Sequence, residues 1–205
     1  MGSKYTINEI YRSFQGEGHR EGTENVFVRF SGCNMRCSMK VGPKSPGGFD
    51  CDTEFVSGRK LSVDELIQWV LNEDLHSQCK WVILTGGEPA LQIDETLIDA
   101  LHDVGFKIAI ESNASLALPN GIDYIALSPK VAEHCVRQLK ADEVRYVRGY
   151  GQSLPKTKID ATHYYISPAF CGDSIDERTL QWCEELVKDS KWKLSVQTHK
   201  INGIR

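Results

Sequence analysis

The sequence predicts an α/β fold in which a mainly parallel sheet forms a partial, splayed β/α barrel. Short runs of β-branched and apolar residues alternate along the chain with amphipathic segments of helical period. Several runs are continuously apolar, which is typical of parallel strands buried on both faces. Clear helical segments are too few for the eight units of a closed barrel, so we expect an open sheet and a single domain over residues 1–205.

Eight strands are predicted from the β-rich runs. They cover residues 5–10, 26–30, 80–84, 107–110, 124–127, 144–147, 164–166 and 193–196. Right-handed β/α connections bring the loops after parallel strands to one edge of the sheet, so functional residues are expected there. The segment 131–140 fits either a helix or a loop.

Three helices are predicted between the strands. A capping box at 62–65 opens an amphipathic helix that runs to about Leu71. Pro89 marks the start of a second helix, which Gly105 ends. The third covers 176–187, with its apolar side chains turned inward.

Composition favours a globular protein that acts on a small molecule. The formal net charge is -4, so there is no dense basic stripe of the kind that binds nucleic acid. No segment approaches the roughly 20 apolar residues of a membrane span. Seven cysteines, an odd number, without a secretory signal indicate a reducing, cytoplasmic location. We expect neither nucleic acid nor a membrane as a partner.

Three cysteines, Cys33, Cys37 and Cys51, follow the predicted strand 26–30. The segment 41–49 between the last two is rich in turn residues, which lets distant thiolates converge. Three thiolates can hold an iron-sulfur cluster and leave one iron open.

Spacing alone leaves other interpretations open, namely a zinc site or free thiols. Structural zinc takes four protein ligands, for which His19 or Cys79 is available only at a distance. The remaining cysteines are expected in the core or on the surface; they are Cys79, Cys135, Cys171 and Cys183.

A glycine turn follows the predicted strand 80–84. Gly86 and Gly87 expose backbone groups to a polar ligand, and Glu88 and Pro89 lead into the next helix. Taken by itself, this pattern is more typical of an ordinary strand-to-helix connection.

Several motifs in this order resemble the radical S-adenosylmethionine superfamily and, within it, the 7-carboxy-7-deazaguanine synthase family. The matching segments are 13–18, 29–34, 51–53, 85–89, 111–113, 128–130 and 197–200. The resemblance implies that Cys33, Cys37 and Cys51 bind a [4Fe-4S] cluster whose open iron chelates S-adenosylmethionine. It also implies a partial β/α barrel of the radical S-adenosylmethionine type.

The activity implied by the resemblance is a ring contraction in queuosine and 7-deazapurine biosynthesis. A 5'-deoxyadenosyl radical takes a hydrogen from 6-carboxy-5,6,7,8-tetrahydropterin, and the product 7-carboxy-7-deazaguanine forms with loss of ammonia. One departure concerns the cysteines, because the superfamily usually spaces the last two by two residues and this chain spaces them by thirteen. Cys51 keeps the expected sequel, Asp52 and Thr53, and is aligned as the third ligand.

The resemblance implies contacts to S-adenosylmethionine from the ends of several strands. These residues are Asp50, Asp52, Gly87, Glu88, Ser112, Ser128, Pro129, Lys130, Ser167, Pro168, Ala169 and Phe170. By residue chemistry alone, Lys130 is equally well explained as a solvated surface lysine.

The resemblance assigns the pterin to an N-terminal loop and two strands. The residues are Phe14, Gln15, Gly16, Glu17, Arg29 and Thr85, with Arg205 contributing its terminal carboxylate. A guanidinium suits the substrate carboxylate, although strand alternation alone allows Arg29 to face water. His199 fits either a proton carrier or a hydrogen-bonded core histidine.

Thr53 is implied to bind Mg²⁺, which prefers oxygen ligands and commonly keeps water or substrate oxygens in its shell. Sequence alone identifies it only as a turn residue. The family resemblance further implies a homodimer and an electron donor such as a flavodoxin or ferredoxin. Two other functions remain open: an activase that forms glycyl radicals in a protein, and a non-catalytic zinc or iron-sulfur binding module.

Overall fold

The computed structural model describes residues 3–35, 51, 53–75, 79–171 and 174–204. These residues form a nine-stranded sheet, a two-stranded hairpin and four α-helices. The strands are β1 (Lys4–Phe14), β2 (Glu24–Phe30), β3 (Arg59–Ser62), β4 (Trp81–Gly86), β5 (Lys107–Ser112), β6 (Tyr124–Leu127), β7 (Lys140–Arg148), β8 (Asp160–Pro168), β9 (Phe170–Cys171), β10 (Ser174–Ile175) and β11 (Lys193–Leu194). The helices are α1 (Val63–Glu73), α2 (Glu95–Asp103), α3 (Glu177–Val187) and α4 (Thr198–Ile201).

The large sheet is open, with the strand order β11-β8-β7-β6-β5-β4-β2-β1-β3. In this spatial order, all neighbouring strands between β11 and β2 are parallel. Strand β1 pairs antiparallel with both β2 and β3. The predicted α/β fold with a splayed rather than closed barrel is therefore confirmed. All eight predicted strands are present.

Helices pack on one face of this sheet. Leu66 and Val70 of α1 and Leu97 and Leu101 of α2 are fully buried against the first strands, and Cys183 of α3 is fully buried against the last ones. Each Å² of apolar area removed from water contributes about 25 cal/mol, so these contacts stabilise the sheet. The opposite face of the sheet is left available for a cavity.

Strand register aligns polar side chains on that second face. In β2, Val26, Val28 and Phe30 are fully buried in the core, while Arg29 points to the opposite side, as strand alternation requires. Arg29 is paired across the ladder with Glu9 of β1 and with Thr85 of β4. Three polar residues thus lie side by side on three adjacent strands.

The capping box predicted at 62–65 is present at the start of α1. The Ser62 side chain accepts the backbone N–H of Glu65, and the Glu65 carboxylate accepts the N–H of Ser62. Together the two bonds satisfy donors that a helix start would leave unpaired. The helix continues two residues past the predicted end, to Glu73.

The second predicted helix begins later than expected. Pro89 starts only a short 3-10 turn, Pro89–Leu91, and α2 begins at Glu95. Asp94 interrupts the run because its side chain accepts the backbone N–H of Leu97 at 3.0 Å and caps the new helix. Leu91 lies in that short turn and is 46% exposed.

Two short pieces of β-structure were not predicted. Strand β3 has four residues of mostly polar sequence at the edge of the large sheet. Strands β9 and β10, of two residues each, pair antiparallel in a separate small sheet. The ambiguous segment 131–140 contains a 3-10 turn, Glu133–Cys135, before β7 begins at Lys140. Among the described residues, every helix is too short or too polar to cross a bilayer.

Candidate active site

A cavity of about 400 Å³ lies on the sheet face opposite the helices. That volume is in the range of small-molecule sites. Its walls come from β1, β2, β4, β5 and β7, from the loop after β1, and from the segment that carries α4. Residues along these walls include Glu9, Tyr11, Phe14, Gln15, Gly16, Glu17, Phe27, Arg29, Thr53, Thr85, Glu111, Arg145, Gln197, His199 and Lys200.

Arg29 is held in the wall by two neighbours on β1. Its Nε donates to Glu9 Oε1 at 2.8 Å, and its Nη2 donates to the Tyr11 hydroxyl at 2.8 Å. The Tyr11 ring stacks on Phe27, with centroids 5.3 Å apart. The guanidinium is therefore fixed in direction and lines the cavity.

Arg145 lies at the opposite wall and contacts three carboxylates. Its Nη1 donates to Glu17 Oε2 at 3.0 Å, and its Nη2 donates to Glu111 Oε2. The Nε atom lies 3.0 Å from Glu143 Oε1 without the alignment of a hydrogen bond. Because its side chain is only 5% exposed, these pairs are shielded from solvent.

Two amides hold the outer oxygens of these carboxylates. Gln15 Nε2 donates to Glu111 Oε1 at 2.8 Å, and Gln197 Nε2 donates to Glu17 Oε1 at 2.5 Å. Gln15 and Glu17 come from the loop after β1, which carries most of the predicted pterin contacts. The structure thus brings Gln15 and Glu17 together with Glu111, which sequence reasoning did not assign to the site.

The loop after β1 and the C-terminal segment close the floor of the cavity. The Thr198 N–H and hydroxyl both donate to Gly16 O at 3.0 Å. Gly18 N–H donates to Ser195 Oγ at 2.9 Å, and His19 N–H donates to Glu143 Oε2 at 2.9 Å. Gly18 has a φ of +72° and leaves no room for a side chain, because a Cβ there would lie 2.1 Å from Glu143 Oε1.

Cys33 follows β2 and meets the glycine turn after β4. A Cβ on Gly87 would lie 2.0 Å from Gly32 O and 3.1 Å from the Cβ of Cys33, so the two loops are in direct contact. Gly87 N–H donates to Phe30 O at 3.1 Å, and Glu88 N–H donates to Gly32 O at 2.9 Å. The predicted cluster loop and the predicted S-adenosylmethionine loop therefore share one sheet edge.

Glu88 lies below this edge and is completely buried. Its carboxylate accepts the Ser112 hydroxyl at 2.9 Å, the Asn113 N–H at 2.7 Å and the Ala90 N–H at 3.0 Å. Burial raises the pKa of Glu88, and these hydrogen bonds oppose the shift only in part. In this geometry Glu88 joins the ends of β4 and β5.

The remaining predicted S-adenosylmethionine residues follow β6 and β8 at the same edge. Lys130 Nζ donates to Ser128 Oγ at 3.0 Å. Ser167 is 3% exposed, and its hydroxyl has no hydrogen-bond partner among the described residues. Pro168 ends β8, and Phe170 in β9 lies under the ammonium of Lys200 at 4.9 Å.

Four predicted site residues lie outside the described residues: Cys37, Asp50, Asp52 and Arg205. Within the part of the chain that is described, no three His, Cys, Asp or Glu side chains form a metal site. Cys33 and Cys51 are both half-buried. Thr53, whose carbonyl lies 3.8 Å from Cys51 Sγ, lines the cavity.

These features fit a cluster with S-adenosylmethionine. Two of the three expected cysteines, Cys33 and Cys51, are partly exposed, and Cys33 lies against a turn whose glycines allow the two loops to approach closely. Ser167 presents a buried hydroxyl that needs a partner, which a bound ligand can provide. The side chains at this sheet edge are therefore suited to bind the cluster and the S-adenosylmethionine that the sequence implies.

Sequence reasoning missed several cavity residues on the strands. Glu9, Tyr11, Glu111 and Arg145 all belong to strands, and charged residues within buried strands are costly unless they are paired or functional. Glu143 and Arg145 alternate with the buried Val144 and Tyr146 in β7. That alternation was the available signal for a polar wall.

No protein-family model matches the chain. Curated relatives named 7-carboxy-7-deazaguanine synthase do match over almost the whole length. The one from Bradyrhizobium diazoefficiens is 36% identical, with 98% of this chain and 99% of the relative covered. The one from Bacteroides thetaiotaomicron is 38% identical, with 97% and 98% covered, and the one from Caulobacter vibrioides is 34% identical, with 98% and 99% covered.

Among solved structures, the crystal structure of QueE from Escherichia coli has a similar fold. The TM-score is 0.68 at 20% sequence identity, and 95% of this chain and 94% of that chain are covered. A sequence identity of 20% supports only the similarity of fold. Membership of the family is established by the curated relatives, which are 34% to 38% identical to this chain. The chain belongs to the 7-carboxy-7-deazaguanine synthase family.

Proposed function

We propose that this protein is a radical S-adenosylmethionine lyase that converts 6-carboxy-5,6,7,8-tetrahydropterin to 7-carboxy-7-deazaguanine with loss of ammonia, a step of queuosine and 7-deazapurine biosynthesis. One observation carries the proposal. The cavity has a fixed guanidinium, Arg29, in one wall and two carboxylates, Glu17 and Glu111, in another. A bicyclic pterin with a carboxylate at one end and N–H donors at the other matches this distribution.

Arg29 binds the substrate carboxylate in this proposal. An arginine carries five N–H donors, and the contacts to Glu9 and Tyr11 leave donors for a ligand. A charge-assisted pair of this kind contributes about 1.5 to 3 kcal/mol. Thr85, the neighbour of Arg29 across the ladder, adds a hydroxyl at the same wall.

Glu17 and Glu111 accept from the other end of the pterin. A carboxylate has about four lone-pair positions, and each of these two already uses positions for Arg145 and for a glutamine amide. The remaining positions suit the amino group and ring N–H of a pterin. Phe14 and Gly16 complete this part of the wall.

Cys33, Cys37 and Cys51 hold the [4Fe-4S] cluster in this proposal, and the sheet edge formed by Gly87, Ser128, Lys130 and Ser167 holds S-adenosylmethionine. When bound, the cluster and S-adenosylmethionine would supply, with one electron from an external donor, the radical chemistry that removes hydrogen from the substrate. The protein positions the substrate beside that edge and limits water, since the walls carry the buried pairs described above. Thr53 contributes a hydroxyl to Mg²⁺, which its position in the cavity wall supports.

The finer properties implied by the family are proposed with it. They are one domain over residues 1–205, a homodimer, a flavodoxin or ferredoxin as electron donor, and a cytoplasmic location. Nine of the eleven strands in the described residues, including the first and the last, share one sheet, which supports the single domain. Cys51, Cys79, Cys135 and Cys183 form no disulfide among the described residues, which suits a reducing compartment.

Anaerobic reconstitution tests the function directly. Protein with iron and sulfide is incubated with S-adenosylmethionine, a reductant and 6-carboxytetrahydropterin, and the products are identified by mass. We expect 7-carboxy-7-deazaguanine and ammonia. If S-adenosylmethionine is cleaved but the pterin is unchanged, the cluster assignment stands and the proposed substrate is refuted. If the purified protein contains only zinc, the radical reaction is refuted.

Cysteine variants separate ligands from structural thiols. Cys33→Ala and Cys51→Ala should each abolish cleavage of S-adenosylmethionine, because a cluster lacking one thiolate is not retained. Cys135→Ser is the matched control, since Cys135 is a half-buried free thiol in a 3-10 turn away from the cavity. It should keep its iron and its activity.

A further inference from the structure

Arg145 is surrounded by acidic side chains from three separate elements. Glu17 belongs to the loop after β1, Glu111 to β5, and Glu143 to β7 together with Arg145. Glu143 is 2% exposed, and its Oε2 accepts the Tyr124 hydroxyl at 2.8 Å. One guanidinium therefore meets three carboxylates in a buried region.

The guanidinium uses separate nitrogens for the two carboxylates that reach the cavity. Nη1 holds Glu17 and Nη2 holds Glu111, so the planar fork sets the position of both relative to each other. The second oxygen of each is held by Gln197 or by Gln15. The two acceptors are thus oriented before any ligand binds.

The positive charge of Arg145 pairs with both carboxylates that line the cavity. An ionised carboxylate only accepts hydrogen bonds, whereas a protonated one also donates. With Arg145 in place, the wall presents acceptors to the N–H edge of a pterin.

We propose that Arg145 is the positioning residue that gives the site its specificity for a 2-amino pterin. The inference rests on the proposed function, because it concerns the substrate of that same cavity. Arg145 acts through Glu17 and Glu111, and it makes the site reject a ring that carries an oxygen in place of the 2-amino group. A carbonyl oxygen there would face carboxylate oxygens and leave them unpaired.

Two unreactive aromatic ligands test this role in the reconstituted holoenzyme. The ligands are 6-carboxypterin, which has the 2-amino group, and 6-carboxylumazine, which has oxygen at that position. Dissociation constants are measured anaerobically by equilibrium ultrafiltration for the wild type, Arg145→Gln, Arg145→Lys and Arg29→Gln. The quantity of interest is the ratio of the two constants in each protein.

The wild type should bind the pterin at least about 30-fold more tightly than the lumazine. Arg145→Gln should reduce this ratio to about threefold or less, and Arg145→Lys should restore part of it because the charge returns without the fork. Arg29→Gln is the control, because it should weaken both ligands about equally and keep the ratio. General damage to the fold does not produce this pattern.

An unchanged ratio in Arg145→Gln, or a wild type that does not discriminate, would overturn the inference while turnover of 6-carboxytetrahydropterin still supports the function. A wild type that binds neither ligand and converts no pterin would instead refute the proposed function. If Arg145→Gln does not fold, the ratio is measured in Arg145→Gln/Glu143→Gln, which removes one buried carboxylate and leaves Glu17 and Glu111 in place.

Discussion

Gly16 and His199 lie so close that a Cβ on Gly16 would fall 2.1 Å from Nδ1 of His199. The same glycine accepts two hydrogen bonds from Thr198 through its carbonyl. The absence of a side chain at position 16 is therefore what allows the C-terminal segment to close the cavity floor.

Gly16→Ala should displace His199 and open the floor. Overpacking of this kind costs about 1 to 3 kcal/mol, and misplacement of a binding group by about 1 Å reduces catalysis as much as 100-fold. We expect the KM for the pterin to rise about tenfold, measured by steady-state turnover. Gly22→Asn is the control, since nothing lies within 4 Å of a Cβ there and asparagine tolerates its φ of +79°. Equal effects of both changes would contradict the explanation.

Ser167→Ala should separate ligand affinity from stability. Removal of a buried hydroxyl without a partner in the described chain leaves the unfolding temperature unchanged or slightly higher. Affinity for S-adenosylmethionine should fall about fivefold, since one hydrogen bond of about 1 kcal/mol is lost. Calorimetric titration and thermal unfolding measure the two quantities. Ser195→Ala should lower the unfolding temperature, because the Ser195 hydroxyl accepts the Gly18 N–H. A lower unfolding temperature in Ser167→Ala would contradict the prediction.

Glu88→Gln should change how stability depends on pH. Because burial raises the pKa of Glu88, the native state binds more protons than the unfolded state above about pH 4.5. As pH rises from about 4.5 through the native pKa of Glu88, the wild type therefore loses stability relative to the variant. Below about pH 4.5 this loss does not occur. Urea unfolding of both proteins between pH 5 and 8 gives the difference in free energy, in which other titrating groups cancel. A difference independent of pH would show that the pKa is not raised.

Arg29→Gln should weaken binding of the pterin tenfold or more, in line with about 1.5 to 3 kcal/mol for a charge-assisted hydrogen bond. Affinity for S-adenosylmethionine should stay the same. Arg12→Gln is a matched control, because Arg12 is another arginine of this strand pair bonded to a glutamate, Glu24, at 2.7 Å. Solvent screens that exposed pair, so its contribution to stability is small. Equal loss of both ligands in Arg29→Gln would indicate damage to the fold.

Thr53→Val keeps the shape of the side chain and removes its hydroxyl. We expect stimulation of turnover by Mg²⁺ to weaken, with a higher metal concentration needed for half of the maximal rate. Titration of turnover with Mg²⁺ measures this directly. An unchanged response would remove Thr53 from the metal shell.

Local patterns predicted most of the fold, because apolar runs and caps act over a few residues. The capping box at Ser62 and the buried run of β2 are both present as expected. Asp94 was missed as a cap because the apolar period continues across it, and β3 was missed because its polar residues lie at a sheet edge. Pairing with β1 decided the strand β3, whereas the local hydrogen bond from the Leu97 N–H to the Asp94 side chain decided where α2 begins.

The polar wall was harder to predict than the cysteine edge. Arg145 meets Glu111 and Glu17, which are 34 and 128 positions away along the chain, and no local spacing relates them. Glu111 was part of a matching motif, yet its role emerges only from the register of the sheet. Cys33 and the glycine turn, in contrast, carry their chemistry in their own residue types.

The hydrogen bonds between Gly16 and Thr198 span 182 positions of the chain. During translation, the loop after β1 leaves the ribosome long before its partner exists, and contacts so distant in sequence form late in folding. A nascent chain therefore has no finished pterin pocket until its last strand and the segment beyond it have emerged. Truncated products that end before residue 197 should accumulate without sequestering the substrate.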